Sequence, residues 1–120
     1  MNYDPANIFA RILRGEIPCD RVFESEHTLA FRDISPQAPA HLLVIPKGKY
    51  QNFTDFATTG ADAELCAFFR DIATIAKQQG LHKTGYRLLV NNGADANQEV
   101  PHLHIHIVGG ANLGRMLPPR

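Results

Sequence analysis

The chain contains no tryptophan, and only two of its 120 residues are cysteine. Cys19 and Cys66 stand far apart and form no Cys-x-x-Cys pair, which speaks against a disulfide scaffold and a cysteine-rich zinc site. Net charge is missing too: 12 lysines and arginines balance 12 aspartates and glutamates. A nucleic-acid polymer needs a basic footprint, so this neutrality argues against one as the main partner, while leaving room for a small anion. No segment approaches the roughly 20 apolar residues that cross a bilayer. The opening "MNYDPANIFARIL" also lacks the basic start and long apolar run of a signal peptide. We therefore expect a cytoplasmic, soluble chain with no membrane partner. At 120 residues, 44% of them apolar, it is long enough to fold as one domain without staples.

What is present reads as an α+β pattern. Asp4-Pro5 is a fair helix start, with Ile8, Phe9, Ile12 and Leu13 at helical spacing and Gly15 as the end. "RVFES" and "TLAFRD" read as a hairpin around Ser25-Glu26-His27, and the prolines of "SPQAP" then break regular structure. "HLLVIP" is an apolar run of strand length, whereas "KGKYQNFTDF" reads as loop. From about residue 61 to 79, Leu65, Phe68, Phe69, Ile72, Ile75 and Ala76 recur at three and four. That spacing predicts an amphipathic helix, with Gly80 as its C-terminal cap and Cys66 as a buried thiol. "YRLLVNN" is a further strand, "NGADANQE" a polar turn and "ANLGRMLPPR", residues 111–120, an irregular tail. The sum is one domain over 1–120, with a mainly antiparallel sheet and its helices on one face.

The remaining strand, "EVPHLHIHIVGG", carries half of the six histidines. Alternation puts His102, His104 and His106 on one face, away from the helix, and Leu103, Ile105 and Ile107 on the other. Three successive histidines are improbable as a merely solvated face. A metal site is one reading, but same-face neighbours are about 6.6 Å apart. Three such imidazoles converge poorly on one ion, so a metal would take two of them and His41. The other reading is a row of imidazoles along an elongated anion. A neutral imidazole can attack phosphorus while its neighbours bind the phosphoryl oxygens or move a proton. His27 and His82 lie beside turns and read as surface residues, and Gly109-Gly110 as the strand's end.

"HLHIHIV" resembles the His-x-His-x-His signature of the histidine triad (HIT) family. "FARILRGEIPCDRVFESEHTLAFRDISPQAPAHLLVIPK" and "GYRLLVNNGADANQEVPHLHIHIVGG" resemble its nucleotide-binding (HINT-like) branch, the purine nucleoside phosphoramidases, over roughly residues 8 to 110. The resemblance implies a five-stranded sheet with two helices, joined across a homodimer into ten strands. It implies hydrolysis of the P–N bond of purine nucleoside 5′-phosphoramidates, and more slowly of aminoacyl-adenylates, with no metal and no cofactor. His104 resembles the nucleophile that carries the nucleotidyl group. His102 and His41 resemble its hydrogen-bonding support, and His106 the imidazole that contacts phosphate and the ribose 5′-oxygen. Asn91 and Gln98 resemble phosphate contacts, and Asp33 the carboxylate that holds the ribose hydroxyls. Asp33 alone would read as a turn cap before "ISPQAP". Ile8, Phe9, Ile17, Phe31, Ile34 and Leu43 resemble the walls of the base slot.

Three positions depart from the family pattern. Glu99 stands where the eukaryotic branch has serine and bacterial relatives often have glutamate; its carboxylate could hydrogen-bond the leaving amine. Pro101 replaces a common aromatic residue and marks a strand start. The tail lacks the tryptophan of the eukaryotic branch, on the side that shapes leaving-group choice. Two alternatives stay open: a nucleotide-binding or scaffolding protein with incidental hydrolysis, and a metal-binding module.

Overall fold

The computed structural model describes residues 2–117. Residues 118–120 of the expected irregular tail lie outside the described residues; 111–117 carry no helix or strand. Five strands, β1 (Arg21–Glu24), β2 (Thr28–Arg32), β3 (Ala40–Pro46), β4 (Tyr86–Val90) and β5 (Ile105–Gly109), form one sheet. Their order is β1-β2-β3-β5-β4, and every neighbouring pair is antiparallel. Three helices accompany them: α1 (Ile8–Leu13), α2 (Phe53–Thr59) and α3 (Asp62–Gln78). Short 3₁₀ turns cover Leu81–Lys83 and Ala94–Ala96.

The strand alternation builds two cores instead of one. Ala30, Leu42, Val44, Ile105 and Ile107 point to the face where Phe56 of α2 and Phe68, Ile72 and Ile75 of α3 pack. Leu29, Phe31, Leu43 and Ile45 point the other way and meet Phe9 and Ile12 of α1. The expectation of helices on one face is therefore corrected. α1 is short, and its Phe9 and Ile12 pack on the second face together with Leu13, Ile17 and Val100 at the margin.

Other local differences have identifiable causes. α1 starts at Ile8, after the expected Asp4-Pro5, because the Asn7 side chain accepts from the Ala10 N–H and is the N-cap. Asp4 instead accepts from the Ala6 N–H in the preceding turn. The stretch read as loop contains α2: Asn52 accepts from the Asp55 N–H, and the Asp55 carboxylate accepts from Gln51 N–H. This is close to a capping box, with aspartate in place of the longer acid. α3 falls where its period predicts, and Gly80 follows it at φ 74°, a left-handed turn that disfavours any Cβ. Cys66, expected inside, sits on the exposed side of α3.

β5 begins at Ile105, four residues after the expected start at Pro101. His102 and His104 precede the sheet ladder, held by main-chain bonds from His102 N–H to Val100 O and from Leu103 N–H to Tyr50 O. The alternation nevertheless persists: Leu103 is buried in the same core as Ile105 and Ile107. His82 is exposed and His27 partly so. No helix among the described residues is long and apolar enough to cross a membrane.

Ile107 lies at the centre of the first core with no exposed surface. Ile107→Ala should cost about 2–5 kcal/mol, read as a lower urea midpoint at unchanged m-value. A loss below about 1 kcal/mol would mean that this core is not the main support of the sheet.

Candidate active site

The three histidines of the motif have three different environments. His102 has no exposed surface. Its Nε2 lies 2.9 Å from the Pro46 carbonyl and its Nδ1 2.6 Å from the Tyr3 hydroxyl. A carbonyl can only accept, so Nε2 carries the proton, Nδ1 is bare and the tyrosine donates. Burial pushes this imidazole down from 6.5 to about 4, against the smaller opposing effect of the Pro46 carbonyl.

His104 is also buried, at 7% exposed, but its ring edge reaches a cleft. Nδ1 lies 2.8 Å from the His102 carbonyl, which fixes the proton on Nδ1 and leaves the Nε2 lone pair bare. Phe9 packs against this ring at 4.9 Å between centroids, interplanar angle 74°. Burial lowers the pKa of His104 below 6.5, while the His102 carbonyl and the charges of Asp33 and Glu99 pull it upward. The lone pair is thus available at neutral pH.

His106, on β5, sits in a directed chain of hydrogen bonds. The Gln37 main-chain N–H donates to His41 Nδ1 at 3.0 Å, so the proton of that ring is on Nε2. His41 Nε2 faces His106 Nδ1 at 2.9 Å and donates to it. The remaining proton of His106 is then on Nε2, as a donor. Burial, helped by the neighbouring His104 and His41, lowers His106 from 6.5 to about 4. Centroids of the His104 and His106 rings are 5.3 Å apart. A lone pair and an N–H donor therefore stand side by side.

The cleft measures about 380 Å³ and is bounded by Phe9, Leu43 and Val100 on its apolar sides and by Asp33, Asn91, Asn97 and Glu99 on its polar ones. One oxygen of Asp33 accepts from the Ser35 N–H at 2.7 Å; the other lies 3.5 Å from His41 Nε2. The turn-cap reading thus describes one oxygen and leaves the second beside the histidines. Asp33, His41 and His106 each offer a donor atom, all within 4.8 Å of one another, so these three could hold a divalent ion. The set differs from the two-triad-histidine site expected for a metal. A larger depression, about 550 Å³, lies between residues 84–87 and 110–114. It carries no imidazole or carboxylate.

The HIT domain profile matches residues 14–113. The chain belongs to the HIT domain family. It is 57% identical over 115 residues to an uncharacterized 13.2 kDa HIT-like protein of Azospirillum brasilense, covering 96% of this chain and 94% of the relative. It is 44% identical over 110 residues to the purine nucleoside phosphoramidase of Escherichia coli K12, covering 92% of each. Among solved structures, a HIT family hydrolase from Clostridium thermocellum superposes with a TM-score of 0.86 at 34% identity, covering 93% of this chain and 97% of that one. A HIT family hydrolase from Legionella pneumophila gives 0.81 at 41%, covering 87% and 92%.

Within this HIT domain the expected site residues divide. His104, His106, His41, Asp33, Asn91, Glu99, Phe9 and Leu43 line one cleft. His102 is behind it, and its support to His104 comes from the main-chain carbonyl, not the ring. Gln98 is engaged elsewhere: its oxygen accepts from Gly93 N–H, and its nitrogen donates to Gln51 and Val100 carbonyls, tying loops together. Phe31 is buried against Phe9, and Ile17 packs at the margin of the same core. Ile8 is exposed, and Ile34, at 98% exposure, stands clear of the cleft. Sequence reasoning passed over Asn97, Val100, Ser35 and Gln37, which also border it. None of the four stands out in the sequence; Asn97 adopts a left-handed backbone, φ 58°, which asparagine tolerates.

Because His102 accepts a proton near 6.5 when unfolded and only near 4 when folded, acid favours the unfolded chain. Stability should be unaffected by this group above 6.5 and fall by about 3 kcal/mol as the pH drops to 4. Urea titrations of the parent and of His102→Gln, which has no proton to gain there, should differ by that slope. Parallel pH profiles for the two proteins would contradict the assignment of a buried neutral ring.

Proposed function

We propose that this protein is a hydrolase of purine nucleoside 5′-phosphoramidates, acting through a covalent nucleotidyl-His104 intermediate. The observation that carries the reading is the bare Nε2 of His104 beside the Nε2–H of His106, in a cleft with apolar walls and one carboxylate oxygen facing the histidines. The relation to the Escherichia coli purine nucleoside phosphoramidase supports the same choice of substrate class.

In the first step the His104 Nε2 lone pair attacks phosphorus. The P–Nε2 bond forms, the P–N bond of the substrate breaks, and the amine leaves with a proton taken from solvent at the Glu99 side of the cleft. The His106 Nε2–H donates to a phosphoryl oxygen as charge gathers there, and Asn91 adds a polar contact. Water then attacks phosphorus, the P–Nε2 bond breaks and the nucleoside monophosphate is released. Asp33 accepts from the ribose hydroxyls with the oxygen that the Ser35 N–H leaves unused, since an ionised carboxylate is acceptor-only. The base lies between Phe9 and Leu43. Mixed aminoacyl-adenylates, whose phosphorus carries a comparable leaving group, are slower substrates in this reading.

A cytoplasmic homodimer belongs to the same proposal. Leu88 and Val90 on the outer strand β4 are exposed on the face that α2 and α3 cover elsewhere, and Tyr86 and Leu89 are exposed beside them. An open apolar edge of this kind is suited to a second copy.

His104→Ala should abolish cleavage of a fluorogenic adenosine phosphoramidate while AMP still binds; turnover at the parental rate would refute the nucleophile. The lowered pKa sets the acid limb: the rate should stay level as the pH falls through 6.5 and decline only in more acid solution. A rate already halved at 6.5 contradicts a buried, deprotonated His104. Treatment with EDTA should leave the rate unchanged, because no step uses an ion. Loss of activity that zinc restores would favour a metal at Asp33, His41 and His106.

A further inference from the structure

Tyr3 borders none of the cleft, yet its side chain reaches across 99 positions of sequence to the first histidine of the motif. The hydroxyl lies 2.6 Å from His102 Nδ1, and the two rings meet edge to face at 5.6 Å and 72°. His102 is fully buried, so each ring nitrogen needs a protein partner. Pro46 O takes the Nε2 proton, and the Tyr3 hydroxyl is the donor that satisfies Nδ1. With both contacts in place, only one tautomer and one ring orientation fit.

The consequence passes through the main chain. Residues 102–104 lie outside the sheet ladder, so the position of the His102 carbonyl depends on the anchors of this short segment. Two main-chain bonds and the buried Leu103 side chain hold it on one side, and the His102 ring holds it on the other. The carbonyl of the same residue accepts the His104 Nδ1 proton and so aims the opposite nitrogen into the cleft.

We infer that Tyr3 is a positioning residue for His104, its hydroxyl fixing the His102 ring and thereby the carbonyl that orients the attacking imidazole. The inference rests on the proposed role of His104. Without the hydroxyl, Nδ1 of a buried ring has no donor. The ring is then held by the Pro46 bond alone and can pivot about it, which lets the carbonyl of the same residue shift. Nucleotide binding is unaffected, because neither Tyr3 nor the His102 ring touches the cleft.

Tyr3→Phe in the full chain keeps the ring and removes one oxygen atom. Steady-state kinetics with an adenosine phosphoramidate should show kcat about tenfold lower with KM within twofold of the parent, and a titration should show unchanged AMP affinity. In parallel, long-range ¹H–¹⁵N spectra of the histidine rings read the tautomers directly. The parent should show His102 with Nε2 protonated and His104 with Nδ1 protonated; the variant should keep the His102 proton on Nε2 and show mixed tautomers at His104. A folded variant with parental kcat, a rise in KM alone, or an unchanged His104 tautomer would overturn the inference. So would a parent protein whose His102 carries its proton on Nδ1, whether or not the variant folds. A parent that binds AMP but cleaves no phosphoramidate would sink the proposed activity, and the tautomer spectra would still judge Tyr3.

Discussion

The site depends on one hydrogen bond, from the Nδ1–H of His104 to the main-chain carbonyl of His102. A neutral imidazole has one proton and two nitrogens, and its chemistry depends on which nitrogen is left bare. A carbonyl at Nδ1 settles that choice toward Nε2. Burial then acts in the same direction, because a desolvated ring resists protonation. Orientation and basicity are controlled by separate features, main-chain geometry for the first and the Phe9 side of α1 for the second.

The two-sided core explains how so short a segment is held firmly. On one face, Leu103, Ile105 and Ile107 are locked beneath α3, which fixes the register of the segment. On the other, Phe9 contacts the rings of both His102 and His104 while packing on Phe31. Alternation along the segment makes both possible at once: every aliphatic residue serves the sheet, and every imidazole serves the opposite side. The directed chain from Gln37 through His41 to His106 adds a donor next to the lone pair. Two neighbouring histidines thus present opposite hydrogen-bonding character, and that asymmetry is what a nucleophile beside a phosphoryl oxygen requires.

Much of this was legible in the chain. The period of α3, the apolar run of β3, the hairpin and the aliphatic–histidine alternation follow from residues that obey one rule each. The wider family resemblance is what pointed to His41, Asp33 and Asn91, which line the cleft and which no local rule singles out together. Less legible were features that depend on contacts distant in sequence. Tyr3 meets His102 only because α1 crosses the second face of the sheet, and nothing near Tyr3 announces it. The late start of β5 reflects bonds to Val100 and Tyr50 rather than strand propensity. α2 was missed although Asn52 and Asp55 carry its cap, because the polar stretch around it outweighs that signal. Cys66 and Ile34 show the limit of pattern: one follows a helical apolar spacing, the other a family match, and both are exposed.

The central claim is that His104 forms a transient bond to phosphorus. Mixing the protein with excess adenosine phosphoramidate, quenching without acid within a turnover, and mapping peptides by mass spectrometry tests it directly. The account predicts an AMP adduct on the peptide bearing His104, absent after His104→Ala. Full turnover with no adduct at any time, or an adduct on a different residue, would contradict it.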